Sequence, residues 1–151
     1  MLSPTQNFVS SIAIIPQTVS TTGVYNCASV DLINIVGGES ILGFIMFSGA
    51  RTGGDYTVQD FQMSKVSNFA SDVITLDSTS IEHFLPQDSN SALNALAQTK
   101  IETSSAIKKL GIHLPKNVNE YRYGRIRLFG ANTPSILLGA VYLFKAASKP
   151  I

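Results

Sequence analysis

The stretch that decides the fold is residues 40–47, which read Ser-Ile-Leu-Gly-Phe-Ile-Met-Phe. Successive side chains of a β-strand point to opposite faces of its sheet, and here both alternating sets are apolar. Such a run is typical of a central strand that is covered on both sides. The turn-forming residues 48–55 and a second β-prone run at 56–63 follow, and together they predict a β-hairpin.

Short strands separated by turn residues fill most of the remaining chain. The first is predicted at residues 8–15, where a β-branched run stops at Pro16. No helices alternate with the strands, so the pattern predicts an all-β fold, an antiparallel β-sandwich or jelly roll, with at most one short helix near residues 91–98. The further strands are predicted at residues 24–30, 73–76, 106–114, 120–129 and 135–144.

The composition favours a single domain that works in an assembly. The 151 residues suffice for one independently folded core, which we divide into an N-terminal arm (1–7), a β-sandwich domain (8–145) and a C-terminal tail (146–151). Apolar residues make up a normal 44%, whereas charged residues make up only 14%. A low charge suits a surface that is packed against other proteins, and it equally suits a neutral extracellular β-domain.

The net charge of +1 hides an uneven distribution. Residues 1–99 contain two basic and eight acidic residues, a net charge of −6, whereas residues 100–151 contain nine basic and two acidic residues, a net charge of +7. If the two halves interleave, their charges cancel within the fold. If they form separate faces, copies of the chain can associate head to side.

Neither a membrane span nor a secretion signal is predicted. The longest apolar runs are too short to cross a bilayer, and the N-terminus lacks a basic segment followed by an apolar one. We therefore expect a soluble protein without a membrane partner. The single cysteine, Cys27, is expected to be buried as a small hydrophobic side chain.

No arrangement of residues predicts a catalytic, cofactor or metal site. His83 and His113 have no second ligand at zinc spacing, and the glycine pair at 53–54 fits a turn better than a phosphate loop. Asp55 and Asp60 lack the dense ligand run of a calcium loop, so we expect them to be solvated surface residues. The protein is therefore expected not to be an enzyme.

The densest cluster of cationic and aromatic residues lies near residues 121–127. Strand alternation places Tyr123, Arg125 and Arg127 on one face, and Arg122 with Gly124 on the other. Arginine beside tyrosine also suits single-stranded nucleic acid, but a pI of about 7.9 is low for a nucleic-acid-binding domain. Both residue types are enriched at protein interfaces, so we predict a protein interface and no nucleic-acid partner. The candidates are Tyr121, Arg122, Tyr123, Arg125, Arg127, Lys145 and Lys149.

Five short motifs resemble stretches of a known group of proteins. They are Ile-Ile-Pro-Gln-Thr at 14–18, Glu-Ser-Ile-Leu-Gly-Phe at 39–44, Gly-Gly-Asp-Tyr-Thr-Val-Gln at 53–59, Arg-Tyr-Gly-Arg-Ile-Arg at 122–127 and Gly-Ala-Val-Tyr-Leu at 139–143. In these stretches the chain resembles the capsid decoration proteins of tailed bacteriophages, which are also called cement or head-stabilising proteins. It departs from their pattern at Gly124, where a β-branched residue is usual.

The resemblance implies a jelly-roll-like β-sandwich on the outer capsid surface of a virion, made in the host cytoplasm. The implied partners are the major capsid protein and further copies of the chain, in a homo-oligomer such as a trimer. The implied function is to stabilise the capsid by binding across junctions of the major capsid protein. The alternative is a carbohydrate- or receptor-binding module of a virion with Tyr25, Tyr56 or Tyr123 as stacking platforms, which the absence of Trp disfavours.

Overall fold

The computed structural model describes residues 8–33, 41–76, 80–83, 99–115 and 120–145. Within these ranges the chain is almost entirely antiparallel β-structure and contains no α-helix, which confirms the all-β prediction. The predicted arm, the short helix near residues 91–98 and the tail lie outside the described residues. The strands are β1 (Phe8–Val19), β2 (Gly23–Asn26), β3 (Val30–Asp31), β4 (Ile41–Ser64), β5 (Val73–Leu76), β6 (Ile81–His83), β7 (Ile107–His113) and β8 (Tyr123–Lys145).

Two long strands form the frame of the sheet. β4 has 24 residues and β8 has 23, and the two pair antiparallel along almost their whole length. β1, β2 and β3 pair in turn with the other edge of β8. β7 and β5 pair with the other edge of β4, and β6 pairs with β7.

Each long strand folds back on itself, so that one continuous sheet forms two packed leaves. The decisive contact lies within β8, where the Ile126 amide donates to the Tyr142 hydroxyl at 3.1 Å although the residues are 16 apart in sequence. An extended strand of that length would separate them by about 50 Å. The first leaf contains β1, β6, β7 and the halves of β4 and β8 at residues 41–48 and 136–145. The second leaf contains β2, β3, β5 and the halves at residues 55–64 and 123–131.

The corner between the leaves is built from turn-forming residues. Residues 48–55 of β4 lie opposite residues 131–138 of β8, and the pairing register shifts three times within this segment of β4. Gly54 has a φ of 69°, and a Cβ at this position would overlap the backbone of Pro134. Because only glycine fits both the backbone angle and the space, Gly54 makes the sharp bend possible.

The predicted β-hairpin around residues 48–55 is wrong. The runs on either side of this segment belong to the single strand β4, and both pair with β8 rather than with each other. The strands predicted separately at 120–129 and 135–144 are likewise one strand, β8. In both strands the turn residues bend the chain without ending its pairing. The bend of β4 lies opposite the bend of β8, so the two strands turn together and stay paired on both sides of the corner.

Other predicted strands are confirmed with changed ends. β1 continues through Pro16, because β1 is an edge strand and Pro16 lies where its register with β8 shifts. The run predicted at 24–30 forms two short strands, and between them the Ala28 amide donates to the Ala13 carbonyl at 2.9 Å. The predictions for β5 and β7 are confirmed.

The core lies between the two leaves. Phe44 and Tyr142 of the first leaf and Tyr56 and Phe61 of the second are fully buried, and the rings of Phe44 and Tyr142 lie 5.6 Å apart. Cys27 is also buried, as predicted, and desolvation raises the pKa of its thiol to about 12. This thiol therefore stays protonated at neutral pH and packs as a small apolar group.

Candidate protein-binding surface

The outer face of the second leaf carries most of the residues predicted as an interface. In β8, Tyr123, Arg125 and Arg127 point outward and the residues between them are buried, which confirms the predicted alternation. The placement of Arg122 on the opposite face is wrong. It precedes β8 and is exposed, so it does not follow the alternation of the strand.

Gly124, at which the chain departs from the decoration-protein pattern, has a clear packing role. It is buried on the inner face of β8, opposite Met63 of β4. A Cβ at this position would overlap the ring of Phe61 and approach Leu32 within 3.2 Å. A β-branched residue therefore cannot replace Gly124 unless the ring of Phe61 moves.

Arg127 and Asp60 form a largely buried ion pair on this face. Their side chains are 21% and 10% exposed, and Arg127 Nε donates to Asp60 Oδ1 at 2.7 Å while Nη2 donates to Oδ2. Asp55 is buried as well and accepts a hydrogen bond from Asn132 at 3.0 Å. The prediction that both aspartates are solvated is wrong, because each finds a partner on β8 that lies 67 or 77 residues away in sequence.

Two further arginines on this side of the second leaf are also engaged within the chain. Arg125 donates to Gln62 Oε1 at 2.9 Å and lies 4.2 Å above the ring of Phe69, and burial lowers the pKa of Arg125. Arg122 binds both carboxylate oxygens of Asp31, which lowers the pKa of Asp31. We call this set the arginine ladder; it consists of Arg122, Arg125 and Arg127 with their partners Asp31, Gln62 and Asp60.

The arginine ladder shows how the two oppositely charged halves of the chain meet. Arg122 and Arg127 belong to the basic half, and Asp31 and Asp60 belong to the acidic half. The halves therefore interleave, and their charges cancel within the fold. Each guanidinium group binds its partner through Nε and Nη2 only, and arginine carries five N–H donors, so the pairs orient the arginines without using all of their donors.

The remaining interface candidates are placed differently. The ring of Tyr121 is partly buried, with the Lys65 ammonium 5.5 Å from its centre. Lys145 is the last residue of β8, opposite Phe8 of β1. The side chain of Lys145 and the whole of Lys149 lie outside the described residues.

The outer face of the first leaf is apolar. Partner residues in an antiparallel pair point to the same side of the sheet, so Ile12, Val141 and Ile45 form one row across β1, β8 and β4. Phe47 and Ile107 are partners in the next row. Ile12, Phe47 and Ile107 are 57%, 41% and 61% exposed. We call this surface the apolar face; its main members are Ile12, Ile45, Phe47, Ile107, Val141 and Leu143.

No charge interrupts the centre of the apolar face. Residues 9–19, 41–48 and 136–144, which supply three of its strands, include no charged residue. Lys109 and His113 stand at one margin, on β7. Monomeric soluble proteins seldom expose contiguous apolar patches larger than a few hundred Å², and larger ones mark binding surfaces.

Sequence reasoning missed the apolar face although its signal is present. Residues 41–47 are apolar at both alternating sets of positions, and this pattern predicted a strand covered on both sides; residues 136–144 show the same pattern. The prediction is correct for the inner side, where Phe44 is fully buried, and wrong for the outer side, where Phe47 is exposed. The second apolar side is left for something outside the described residues to cover.

Other site chemistries find little support in the structure. Tyr56 is fully buried, so the prediction of a stacking platform there is wrong, while Tyr25 and Tyr123 are partly buried. His113 is exposed, and among the described residues no group of three or more His, Cys, Asp or Glu side chains could hold a metal ion. The described part of the chain also contains no helix long and apolar enough to cross a membrane.

Comparison of the whole sequence with models of protein families and with curated proteins finds no match.

Proposed function

We propose that this protein is a non-enzymatic structural protein that assembles with other proteins through its apolar face. The observation that carries the proposal is the uncovered outer side of the first leaf, where Ile12, Phe47 and Ile107 are exposed in one continuous surface. Burial of apolar surface yields roughly 25 cal/mol per Å². A face with an apolar, uncharged centre gains most by packing against another protein surface.

The same proposal extends to a specific setting, the outer surface of a tailed-phage capsid. The sequence motifs that resemble capsid decoration proteins support it, as does the all-β fold in which they lie. In this setting the protein binds across junctions of the major capsid protein and stabilises the lattice. The arginine ladder supports such a role too, since its internal pairs stiffen the second leaf without needing a ligand.

The test is co-sedimentation of the full-length chain with capsids assembled from the major capsid protein of the same genome. We expect the wild-type chain to pellet with the capsids, and Ile107→Glu to bind at least about tenfold more weakly, because a charge is then buried at the contact. Phe129→Glu is the matched control. Phe129 is 47% exposed, but it lies on the outer face of the second leaf.

Each result of this experiment has a definite meaning. Circular dichroism must first show that both variants fold like the wild type. Failure of the wild-type chain to pellet would show that the capsid role is wrong. Equal pelleting of the two variants would show that the apolar face is not the surface of association.

A further inference from the structure

The outer face of the second leaf carries one positive charge that the described chain does not neutralise. The other two arginines of the arginine ladder each bind a carboxylate. Arg125 instead binds the neutral amide oxygen of Gln62, to which Nε donates at 3.2 Å and Nη2 at 2.9 Å. Within the described part of the chain, no carboxylate forms an ion pair with Arg125.

The guanidinium group of Arg125 is held in place with one edge open. Gln62 takes the side edge, which Nε and one N–H of Nη2 form, and the ring of Phe69 covers one flat side at 4.2 Å. The end edge, formed by Nη1 and the second N–H of Nη2, has no acceptor among the described residues. Arg125 is partly exposed. Two parallel N–H groups of this kind bind a carboxylate through both of its oxygens.

The loop that carries Phe69 is folded so as to place its ring over the arginine. Phe69 has a φ of 56°, in the left-handed region that non-glycine residues seldom adopt. Its amide donates to the Val66 carbonyl at 3.2 Å, and the next amide, that of Ala70, donates to the side chain of Asn68 at 3.0 Å. Such backbone angles persist only where surrounding contacts hold them, and they cluster at binding sites. The ring keeps water from one side of Arg125, so a counter-charge gains more there than on an open surface.

We propose that the outer face of the second leaf is a second docking surface, separate from the apolar face, which takes an acidic segment of another protein by binding an aspartate or glutamate carboxylate at the end edge of Arg125. The inference goes beyond the proposed function, because it assigns a different face and a different partner. The two faces lie on opposite sides of the β-sandwich, so both contacts fit on one copy at the same time.

The neighbours of Arg125 favour a protein segment with apolar residues beside its carboxylate. The outward positions of β8 are Tyr123, Arg125, Arg127 and Phe129, so an aromatic ring stands at each end of the two arginines. Phe129 is 47% exposed, and Val24, its register partner on β2, is 43% exposed. Surrounding contacts that exclude water strengthen a charge pair at the centre of an interface. An extended segment along β8 brings its carboxylate to the arginine and its apolar side chains to the rings.

The same surface disfavours a polyanion such as nucleic acid. Asp60 pairs with Arg127, two residues after Arg125 on β8, and Asp31 pairs in register with Tyr123, two residues before it. A nucleic acid carries a phosphate at every nucleotide, so it meets a carboxylate on either side of the one open positive charge. A single carboxylate matches this charge without the repulsion.

The first test compares two matched probe peptides by NMR titration of the ¹⁵N-labelled chain. One is a capped pentapeptide with a central glutamate between threonine and valine residues, and the other has glutamine in its place. We expect the glutamate peptide to bind at least about fivefold more tightly and to shift the Nε–H signal of Arg125. High salt should reduce this preference. Equal binding of the two peptides would overturn the proposal.

Two substitutions separate the charge of Arg125 from its shape. Gln62→Glu supplies a carboxylate like those of the other two pairs, so the guanidinium group stays in place while its charge is neutralised. We expect both Gln62→Glu and Arg125→Gln to lose the preference for glutamate. Arg122→Gln is the matched control, because Arg122 is exposed and already paired with Asp31, and it should keep the preference within about twofold.

Circular dichroism must show that the three variants fold like the wild type. A preference that survives Arg125→Gln would overturn the proposal, and so would tighter binding of inorganic phosphate or single-stranded DNA than of the glutamate peptide. Self-association of the wild type that Arg125→Gln abolishes would show that the acidic segment belongs to a second copy, which overturns the assignment to another protein.

Co-sedimentation with capsids separates this inference from the proposed function. Arg125→Gln should pellet like the wild type, and loss of pelleting would show that the capsid binds the second leaf, which overturns a separate docking surface. A wild-type chain that prefers the glutamate peptide but does not pellet would overturn the capsid role and leave this inference standing. A chain that pellets and shows no preference would do the reverse.

Discussion

The two outer faces of this protein are built from the same two long strands, yet they differ completely in chemistry. On the second leaf, β4 and β8 point Asp60 and Arg127 outward, and these side chains bind each other. On the first leaf the same strands point Ile45, Phe47 and Val141 outward, and none of the described strands packs over this side of the sheet. A strand that folds over therefore contributes to two separate surfaces. On one, the side chains bind each other within the chain, and on the other, apolar side chains such as Phe47 stay exposed.

The largest expected effect comes from breaking the buried part of the arginine ladder. Asp60→Asn leaves the Arg127 guanidinium largely buried without a counter-charge, so we expect the free energy of unfolding to fall by about 3 kcal/mol. Urea denaturation at pH 7 measures it. Asp31→Asn is the matched control, because the pair of Asp31 and Arg122 is about half exposed and should be worth less than about 1 kcal/mol. Equal losses would contradict the distinction between the two pairs.

A second prediction concerns the hydroxyl of Tyr142, which joins the two leaves through hydrogen bonds. Tyr142→Phe removes the hydroxyl that accepts from the Ile126 amide and donates to the Ala28 carbonyl at 2.7 Å. The buried Ile126 amide and the carbonyl of the exposed residue Ala28 then lose their partner, and we expect a loss of about 2 kcal/mol in thermal or urea unfolding, mostly from the amide. Tyr123→Phe, on the outer face, is the control and should change stability by less than about 0.5 kcal/mol. Similar values for both would show that the hydroxyl of Tyr142 does not join the leaves.

A substitution on the apolar face should change the stability of the fold little and association strongly, whereas breaking the buried pair of the arginine ladder lowers stability. Ile107→Ser replaces a side chain that is mostly exposed, so the unfolding free energy of the dilute chain should change by less than about 0.5 kcal/mol. Binding to capsids should nevertheless weaken, which co-sedimentation detects. A loss above about 2 kcal/mol would show that Ile107 belongs to the core of the domain and not to a binding surface.

The smallest expected effect is a pH dependence of the exposed part of the ladder. Hydrogen bonds from Arg122 lower the pKa of Asp31 below its ordinary value of 3.8. A carboxyl with a lowered pKa stabilises the fold above its unfolded pKa, and this stabilisation is lost as the pH falls through the folded pKa. The stability difference between wild type and Asp31→Asn should therefore be constant from about pH 7 to 5, shrink below 3.8 and vanish at lower pH. A difference that persists at the lowest pH would contradict the charge pairing.

The candidate site could be predicted only in part. Alternation placed Tyr123, Arg125 and Arg127 on one face, because a period of two depends only on the local backbone. It could not show that Arg127 meets Asp60, since that pair joins residues 67 apart and depends on the register of β4 with β8. The interface predicted on these arginines stays a prediction, and the structure shows that each of them already binds a partner within the chain through part of its donors.

The corner of the sheet marks the clearest failure of local reasoning about the fold. Turn residues such as those at 48–55 can end a strand or bend one, and the local sequence is the same in both cases. The choice depends on the neighbouring strand, since β8 bends at residues 131–135 and so keeps pairing with β4 on both sides of the corner. The helix predicted near residues 91–98 stays a prediction.

By itself, the sequence determined the all-β class, the inward and outward alternation of the strands and the burial of Cys27. These properties follow from side-chain shape and from the two-residue period of an extended backbone, which are local. The tertiary structure alone decided where the sheet folds over, which charges meet, and which of two equally apolar sides of residues 41–47 is buried. Those outcomes depend on contacts between distant parts of the chain, and the same contacts leave Phe47 and Ile107 exposed on the apolar face.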